Sequence, residues 1–380
     1  MRISTLDLPE KLLGRYEYTH GAENVKGYTG LLAHYAYALA AHQKQDSRML
    51  RKSMQYLLQY PDQFPHPRYS FEAYRVGGNP KAWLCMQGYL PQELPLLREY
   101  AEKTLRAETD QNGLVCIPPV MYGWQPDRKT KGVWVDAVSI VTPFMLFAGL
   151  ALGESRYIDF SVAQCLKTYD LLKDPTCNLL HQAKGFVDET ESITQDHWSR
   201  GNGWGFLGLS ELVKYLPETH EKRTQVEAYY LEHAIALVKF QGENGLWRQE
   251  ITEPLSWYDS SGSGLILYGL GIGIRKGILK EDRYKTAFSA GINGLTKWCM
   301  TENFGTYSSS TGCLCPGKGV ERGTPAAYIT IPSPAADEKH SFGCMALAFI
   351  EAYNNGITEV ELNKLQQWYN PYFGSWQNSV

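Results

Sequence analysis

The chain has 380 residues, 43% of them hydrophobic and 20% charged, with a formal net charge of −3. That composition describes a globular protein with ample sequence for a core, and neither sign of charge gathers into a tract, so nucleic acid and anionic membrane surfaces are not expected as partners. Aromatic residues make up 13%, including 10 Trp and 25 Tyr, flat amphipathic side chains that suit both large cores and sugar-stacking clefts.

Along the chain, the opening MRISTLDLPEKLLGRY carries charges where a signal peptide needs an apolar run, which leads us to expect a cytoplasmic protein. Six later segments share one plan: a Gly, Ser, Trp or Asp cluster followed by about a dozen mostly apolar residues, the length of a buried helix. They are GYTGLLAHYAYALAAH from Gly27, KAWLCMQGYLPQELPLL from Lys81 and VWVDAVSIVTPFMLFAGLAL from Val133, then GNGWGFLGLSELVKYL from Gly201, SSGSGLILYGLGIGI from Ser260 and KHSFGCMALAFIEAYN from Lys339. Pro91 and Pro95 predict a short or kinked second member. Asp136 and Pro143 interrupt the third, which argues against a membrane span.

Between these segments lie amphipathic stretches: DSRMLRKSMQYLLQY, LREYAEKTLRAE, SRYIDFSVAQCLKTYDLL, QVEAYYLEHAIALVKF and DRYKTAFSAGINGLTKWC. Helices apolar all round are buried on every side, whereas amphipathic ones face solvent, so the alternation predicts an inner and an outer ring. The spacing, roughly 50 to 80 residues, is looser than that of tight helical solenoids and points to an all-α (α/α)6 barrel. No low-complexity linker divides the chain, and we expect one domain over 1–380. Short strands or loop edges are expected at AAYITIPSP near Ala326 and WRQEIT near Trp247.

In such a barrel the polar clusters precede inner helices and gather at one end, where helix N-termini favour anions. Asp136 is read as an N-cap or first-turn aspartate and, not exclusively of that, as a general acid whose pKa is raised by Trp134 and the apolar wall. Arg200 is placed to grip a carboxylate or to form a structural ion pair, with Trp198 and Trp204 as core residues or sugar platforms. His181, His197 and His340 are read as hydrogen-bonding positioners. None belongs to an HxxxH pattern, and the eight cysteines (Cys85, Cys116, Cys165, Cys177, Cys299, Cys313, Cys315 and Cys344) lack zinc-knuckle spacing. Neither a metal nor an organic cofactor is therefore expected. GKGVERGTP, from Gly317, lacks the ending of a phosphate loop and is expected as irregular surface, and no GxSxG marks a serine hydrolase.

The ordered motifs WVDAVSIVTPF, LLH at Leu179–His181, HWSRGNGW, ENGLWRQE, SWYDSSGSGLILYGL and DEKHSFGCMALAF, spread over Tyr28 to Phe349, resemble those of the unsaturated glucuronyl and rhamnogalacturonyl hydrolases, glycoside hydrolase families 88 and 105. The resemblance implies an (α/α)6 barrel that removes a 4,5-unsaturated uronic acid from the non-reducing end of a lyase-generated oligosaccharide. It implies Asp136 as the general acid and base that hydrates the double bond. Trp134, His181, His197, Arg200, Trp204, Tyr28 and His340 are the implied substrate-binding residues. Those families carry a second aspartate near the second inner helix. Here KAWLCMQG has no acid, and Lys81 or Gln87 is the expected substitute. Three other functions compete: an inverting glycosidase pairing Asp136 with Asp196, Asp259 or Asp337, an epimerase using His181 and His340, and a non-catalytic helical scaffold.

Overall fold

The computed structural model describes residues 1–62, 71–117, 132–187, 191–310, 315–333, 336–363, 369–370 and 375–376. Six inner helices, Tyr28–Lys44, Gly78–Met86, Asp136–Leu152, Ser199–Tyr215, Ser260–Arg275 and Lys339–Asn354, pack each against the next. The last returns to the first, so the ring is closed. Around it run six outer helices, Leu8–His20, Ser47–Leu57, Leu94–Leu105, Ser155–Leu172, Arg223–Lys239 and Asp282–Trp298. Outer and inner helices alternate along the chain, the arrangement of an (α/α)6 barrel. No helix among the described residues is long and apolar enough to cross a membrane.

Sequence periodicity explains both rings. Outer helix Ser155–Leu172 buries Tyr157, Ile158, Ser161, Val162, Cys165, Leu166, Tyr169 and Leu172, a stripe at helical spacing. Inner helix Ser260–Arg275 is buried along nearly its whole length, and small residues set how closely its neighbours approach. A Cβ on Gly264 would lie 2.6 Å from the backbone of Cys344 on the adjoining inner helix, so only glycine permits that spacing.

Two boundaries differ from the expected ones. The second inner helix is short, as its prolines predict, but begins at Gly78, and Pro95 belongs to the first turn of the outer helix Leu94–Leu105. Gly77 and Gly78, at φ +100° and +60°, turn the chain into that helix through the left-handed region. The sixth outer helix, Leu8–His20, lies in a stretch in which no helix was expected, and it packs against the last inner helix. The ring is further tied where Arg2–Ser4 pairs antiparallel with Glu359–Glu361.

The strand expected at AAYITIPSP is instead the short helix Pro325–Ile329. Pro325 stands in its first turn and the Thr324 side chain accepts a hydrogen bond from the Ala327 N–H, so local capping overrides β propensity. Near Trp247 the expected strand edges are present as isolated bridges, Arg248 to Tyr258 and Trp198 to Glu250. The GKGVERGTP loop is irregular surface, as expected, exposed from Gly317 to Glu321, and its end is anchored where the Gly323 carbonyl accepts from the backbone N–H groups of Gln195 and Asp196 at 2.8 and 3.1 Å. Cys313 lies outside the described residues, and the other seven cysteines form no disulfide with one another.

Candidate active site

The two-residue strand Val133–Trp134 pairs antiparallel with Ala183–Lys184, and the Val135 N–H donates to the Gln182 carbonyl at 2.9 Å. This fixes the entrance of the third inner helix, whose first residue is Asp136. Asp136 does not serve as the cap: the cap position falls on Val135, which has no side-chain cap hydrogen bond. The Asp136 carboxyl instead carries a buried Oδ2 with no hydrogen-bond partner. Burial pushes its pKa up to about 8, against the opposing pull of the Arg200 guanidinium and the Trp204 indole. At neutral pH the group therefore holds a proton. The buried Trp204 Nε1–H, which acts on that carboxyl, has no other hydrogen-bond partner, so a donor and a protonated carboxyl stand side by side.

Arg200, only 2% exposed, is held in place by a network. Its Nη1 donates to the Ser261 hydroxyl at 3.0 Å and to the Ser310 carbonyl. Ser261 and Ser310 are fixed by Asp259, which accepts from their hydroxyls at 2.7 Å each. The guanidinium also lies 4.4 Å from the centre of the Trp198 ring. The Ser-rich entrance of the Ser260 helix is thus the mount of an arginine from the neighbouring inner helix. Trp198, 2% exposed and stacked on Tyr328, supports that mount, so a sugar platform is excluded for it.

A narrow cavity is lined by Tyr28, Tyr74, Asn79, Ser139 and Trp204, with Leu31, Leu32, Tyr35, Pro80 and Ile140. On its Tyr28 side, the phenol hydroxyl meets His340 Nε2, and His340 Nδ1 meets both Glu338 oxygens at 2.8 and 2.9 Å. Burial, reinforced by the Arg200 charge, lowers the His340 pKa to about 4, so the ring is neutral at neutral pH. Burial would raise Glu338, but its hydrogen bond to His340 and the charge of Arg200 hold it below the usual carboxylate range. Glu338 is visible in the sequence only as a residue flanking the last inner helix, where its side chain accepts from the His340 N–H.

Asn79 lines this cavity, and the sequence reading missed it. Pro143 has no N–H to offer the carbonyl of Ser139 one turn earlier. The Asn79 side chain supplies that donor at 2.8 Å. Neither expected substitute for the missing aspartate reaches the cavity wall: Lys81 is 1% exposed, paired with Glu93 and bonded to the Tyr60 carbonyl, and Gln87 caps the far end of its helix.

His181 and His197 come together with each other instead of with Asp136. Their rings lie 4.9 Å apart, and His197 Nε2 lies 3.0 Å from Asp174 Oδ2. Among the described residues, neither shares a hydrogen bond or ring contact with Asp136. Burial lowers the His181 pKa; for His197 burial acts the same way, but Glu250 and Asp174 outweigh it and leave the ring more basic than usual.

The carboxylates considered as second catalytic groups are engaged elsewhere. Asp259 caps the Ser260 helix and holds the serines. Asp337 binds the Arg15 guanidinium and accepts from the Thr306 N–H. Asp196 is fully buried, with its pKa raised by burial and by Glu250.

Residues 14–355 match the family model described as Glycosyl Hydrolase Family 88. The chain is 26% identical over 179 residues to an unsaturated 3S-rhamnoglycuronyl hydrolase of Alteromonas sp., covering 46% of this chain and 43% of that protein. It is 28% identical over 137 residues to an unsaturated rhamnogalacturonyl hydrolase of Bacillus subtilis, covering 36% and 40%. The chain thus spans under half the length of the curated relatives it matches. Among solved structures, a possible member of family 105 from Salmonella enterica serovar Paratyphi A superposes with TM-score 0.77 at 17% identity, covering 92% of this chain and 94% of that one. An unsaturated glucuronyl hydrolase from Bacillus sp. GL1 superposes with TM-score 0.60 at 14% identity, covering 93% and 96%. These likenesses agree on the barrel, and the family match extends over nearly all of it: the chain belongs to glycosyl hydrolase family 88.

Proposed function

We propose that this protein is a glycoside hydrolase that removes a 4,5-unsaturated uronic acid from the non-reducing end of lyase-generated oligosaccharides by hydrating the double bond. One observation carries the reading: the Asp136 carboxyl is buried beside the Trp204 N–H with its Oδ2 unpartnered, and burial pushes its pKa up to about 8, which favours the protonated form. The relatives' names, unsaturated rhamnoglycuronyl and rhamnogalacturonyl hydrolases, support the substrate class.

In this mechanism Asp136 delivers its proton to C4 of the enol ether, leaving positive charge shared between C5 and the ring oxygen. Water adds at C5 and gives its proton to the Asp136 carboxylate, which restores the acid. The resulting hemiketal opens between C5 and the ring oxygen, and the hemiacetal so formed at C1 expels the remaining chain. One carboxyl thereby serves both proton transfers. Direct displacement at the anomeric carbon would call for a second carboxyl across the bond, and the engaged state of Asp259 and Asp337 argues against it. Trp204 and Trp134 flank the reacting ring, Tyr28 and His340 form the opposite wall, and the positive field of Arg200 favours the uronate carboxylate. We also assign a cytoplasmic location, which suits seven mostly buried cysteines that form no disulfide with one another.

The test is turnover of a panel of lyase-generated oligosaccharides, followed by loss of the ultraviolet absorbance of the conjugated double bond. In heavy water, deuterium is expected at C4 of the released sugar. In oxygen-labelled water, the first-formed product should carry the label at C5. Label at the anomeric carbon alone, with C4 unlabelled, would overturn the mechanism in favour of the two-carboxylate route.

A further inference from the structure

Outside the cleft, one other set of chemistry-bearing side chains converges among the described residues. Asp174, Cys177 and His181 lie in the turn after the Ser155–Leu172 helix, and His197 lies in the segment leading into the Arg200 helix. Asp174 Oδ2 is 3.0 Å from His197 Nε2 and 4.0 Å from His181 Nε2. The ligand atoms of these three residues all lie within 4.8 Å of one another, and Cys177 Sγ is 3.6 Å from the same His197 Nε2. In a tetrahedral zinc site, with Zn–N about 2.0–2.1 Å and Zn–S about 2.3 Å, neighbouring ligand atoms sit about 3.3–3.6 Å apart. Asp174, His181 and His197 approach that span, while Cys177 Sγ meets it towards His197 and lies outside the three-residue group, so it would join by turning about its Cα–Cβ bond.

The far side of each group is already anchored. His181 Nδ1 faces the Asp196 carbonyl at 3.2 Å. His197 Nδ1 faces Thr252 Oγ1 at 3.4 Å and Glu250 Oε1 at 3.7 Å. Asp174 Oδ1 accepts from the N–H and the hydroxyl of Thr176, both at 2.7 Å. Outer partners of this kind fix the tautomer and orientation of metal ligands and leave the inner nitrogen or oxygen to the ion. Here they leave two Nε2 atoms and one Oδ2 within 4.8 Å of one another.

We propose that Asp174, His181, His197 and Cys177 bind one zinc-class divalent cation. Two imidazoles, a thiolate and a carboxylate suit zinc and disfavour calcium or magnesium, which prefer all-oxygen shells. On binding, the Cys177 thiol releases its proton to solvent. Four protein ligands close the coordination sphere, so the ion is structural. It staples the turn at Asp174–His181 to the Asp196–Ser199 segment that carries Arg200 into the mouth, and it gives His181 and His197 a task other than touching sugar.

The test uses the full chain, stripped with a chelator and titrated with cobalt as a spectroscopic stand-in for zinc. The expected result is uptake of one equivalent, with the visible absorption of four-coordinate cobalt and a sulfur-to-cobalt charge-transfer band. Cys177→Ser should lose the charge-transfer band while keeping weakened visible absorption. His181→Gln should lower the affinity by at least about tenfold. Zinc should raise the melting temperature of the unmodified protein more than that of His181→Gln at the same concentration. Failure of the folded protein to take up stoichiometric cobalt or zinc overturns the proposal, as does uptake that neither substitution alters. Uptake without a charge-transfer band in the unmodified protein removes Cys177 from the site.

Discussion

Asp136 and Glu351 are both carboxyl groups drawn into the barrel, one in the first turn of an inner helix and one towards the last turn of another. Glu351 is fully buried, and Arg275 meets it with two parallel hydrogen bonds of 3.0 Å. That is how a fold makes a buried carboxylate safe, with charge and geometry answered by one partner. Asp136 has no such answer: Oδ2 is left unpartnered, and burial dominates over the nearby Arg200. Inner helices enter the ring at one end and leave it at the other, and these two carboxyls stand at opposite ends: Asp136 keeps a proton available, while Glu351 is satisfied by Arg275, beside a fully buried Glu211 whose Oε2 has no partner.

The sharpest way to break this contrast is Asp136→Asn, which keeps the shape and removes the proton cycle. Turnover should fall by roughly 10²–10⁴-fold, measured as the rate of double-bond loss. The melting temperature at pH 7 should hold or rise, because an unpaired buried acid is removed; a marked fall would return Asp136 to a structural role.

At the other end, Arg275→Ala strands Glu351. Removing one partner of a buried pair typically costs about 3–5 kcal/mol, and Arg275 keeps a third of its side chain exposed, so about 2–3 kcal/mol is expected from denaturant titration. Activity of the folded fraction should be unchanged. Loss of activity without loss of stability would dissolve the contrast between the two carboxyls.

Arg200→Lys keeps the charge but loses the stacking on Trp198 and the planar geometry of the mount. KM for the unsaturated uronide should rise on the order of tenfold, about 1.4 kcal/mol, with a smaller change for an uncharged analogue. Equal effects on both would make Arg200 purely architectural.

The gentlest probe is pH. The acid form of Asp136 persists up to about 8, so kcat/KM should be steady below that value and fall by roughly tenfold per unit well above it. Stability carries the same sign: the contribution of this proton is full below the ordinary aspartate value and declines as pH rises towards 8. Asp136→Asn should flatten that slope, and a profile that falls on the acid side near 4 would sink the assignment of a protonated Asp136.

Much of this was legible in the sequence because it is local. Inner helices declare themselves by being apolar all round, as in the Asp136–Leu152 and Ser260–Arg275 helices, and five of the outer helices by their stripes. Leu8–His20 escaped because Pro9, Gly14 and several charges blur its stripe, and the partner that buries it lies more than 300 residues away. Within the mouth, Asp136 and Trp204 could be named from motifs. Asn79 could not, since its place depends on a carbonyl freed by Pro143 on another helix. The Asp174, His181 and His197 cluster was invisible for a related reason: its members come from two loops, and no spacing along the chain encodes their meeting.

The contact between Leu8–His20 and Lys339–Asn354 also has a temporal side. A chain made from one end exposes the apolar side of Leu8, Leu12, Leu13 and Tyr16 while the helix that will cover it has not yet been synthesised. Contacts of such sequence separation form late and slowly. For several hundred residues of synthesis the growing barrel is an open arc with two unsatisfied edges, which makes it a natural client for chaperones, and ring closure becomes the step at which a nascent chain is committed to its fold.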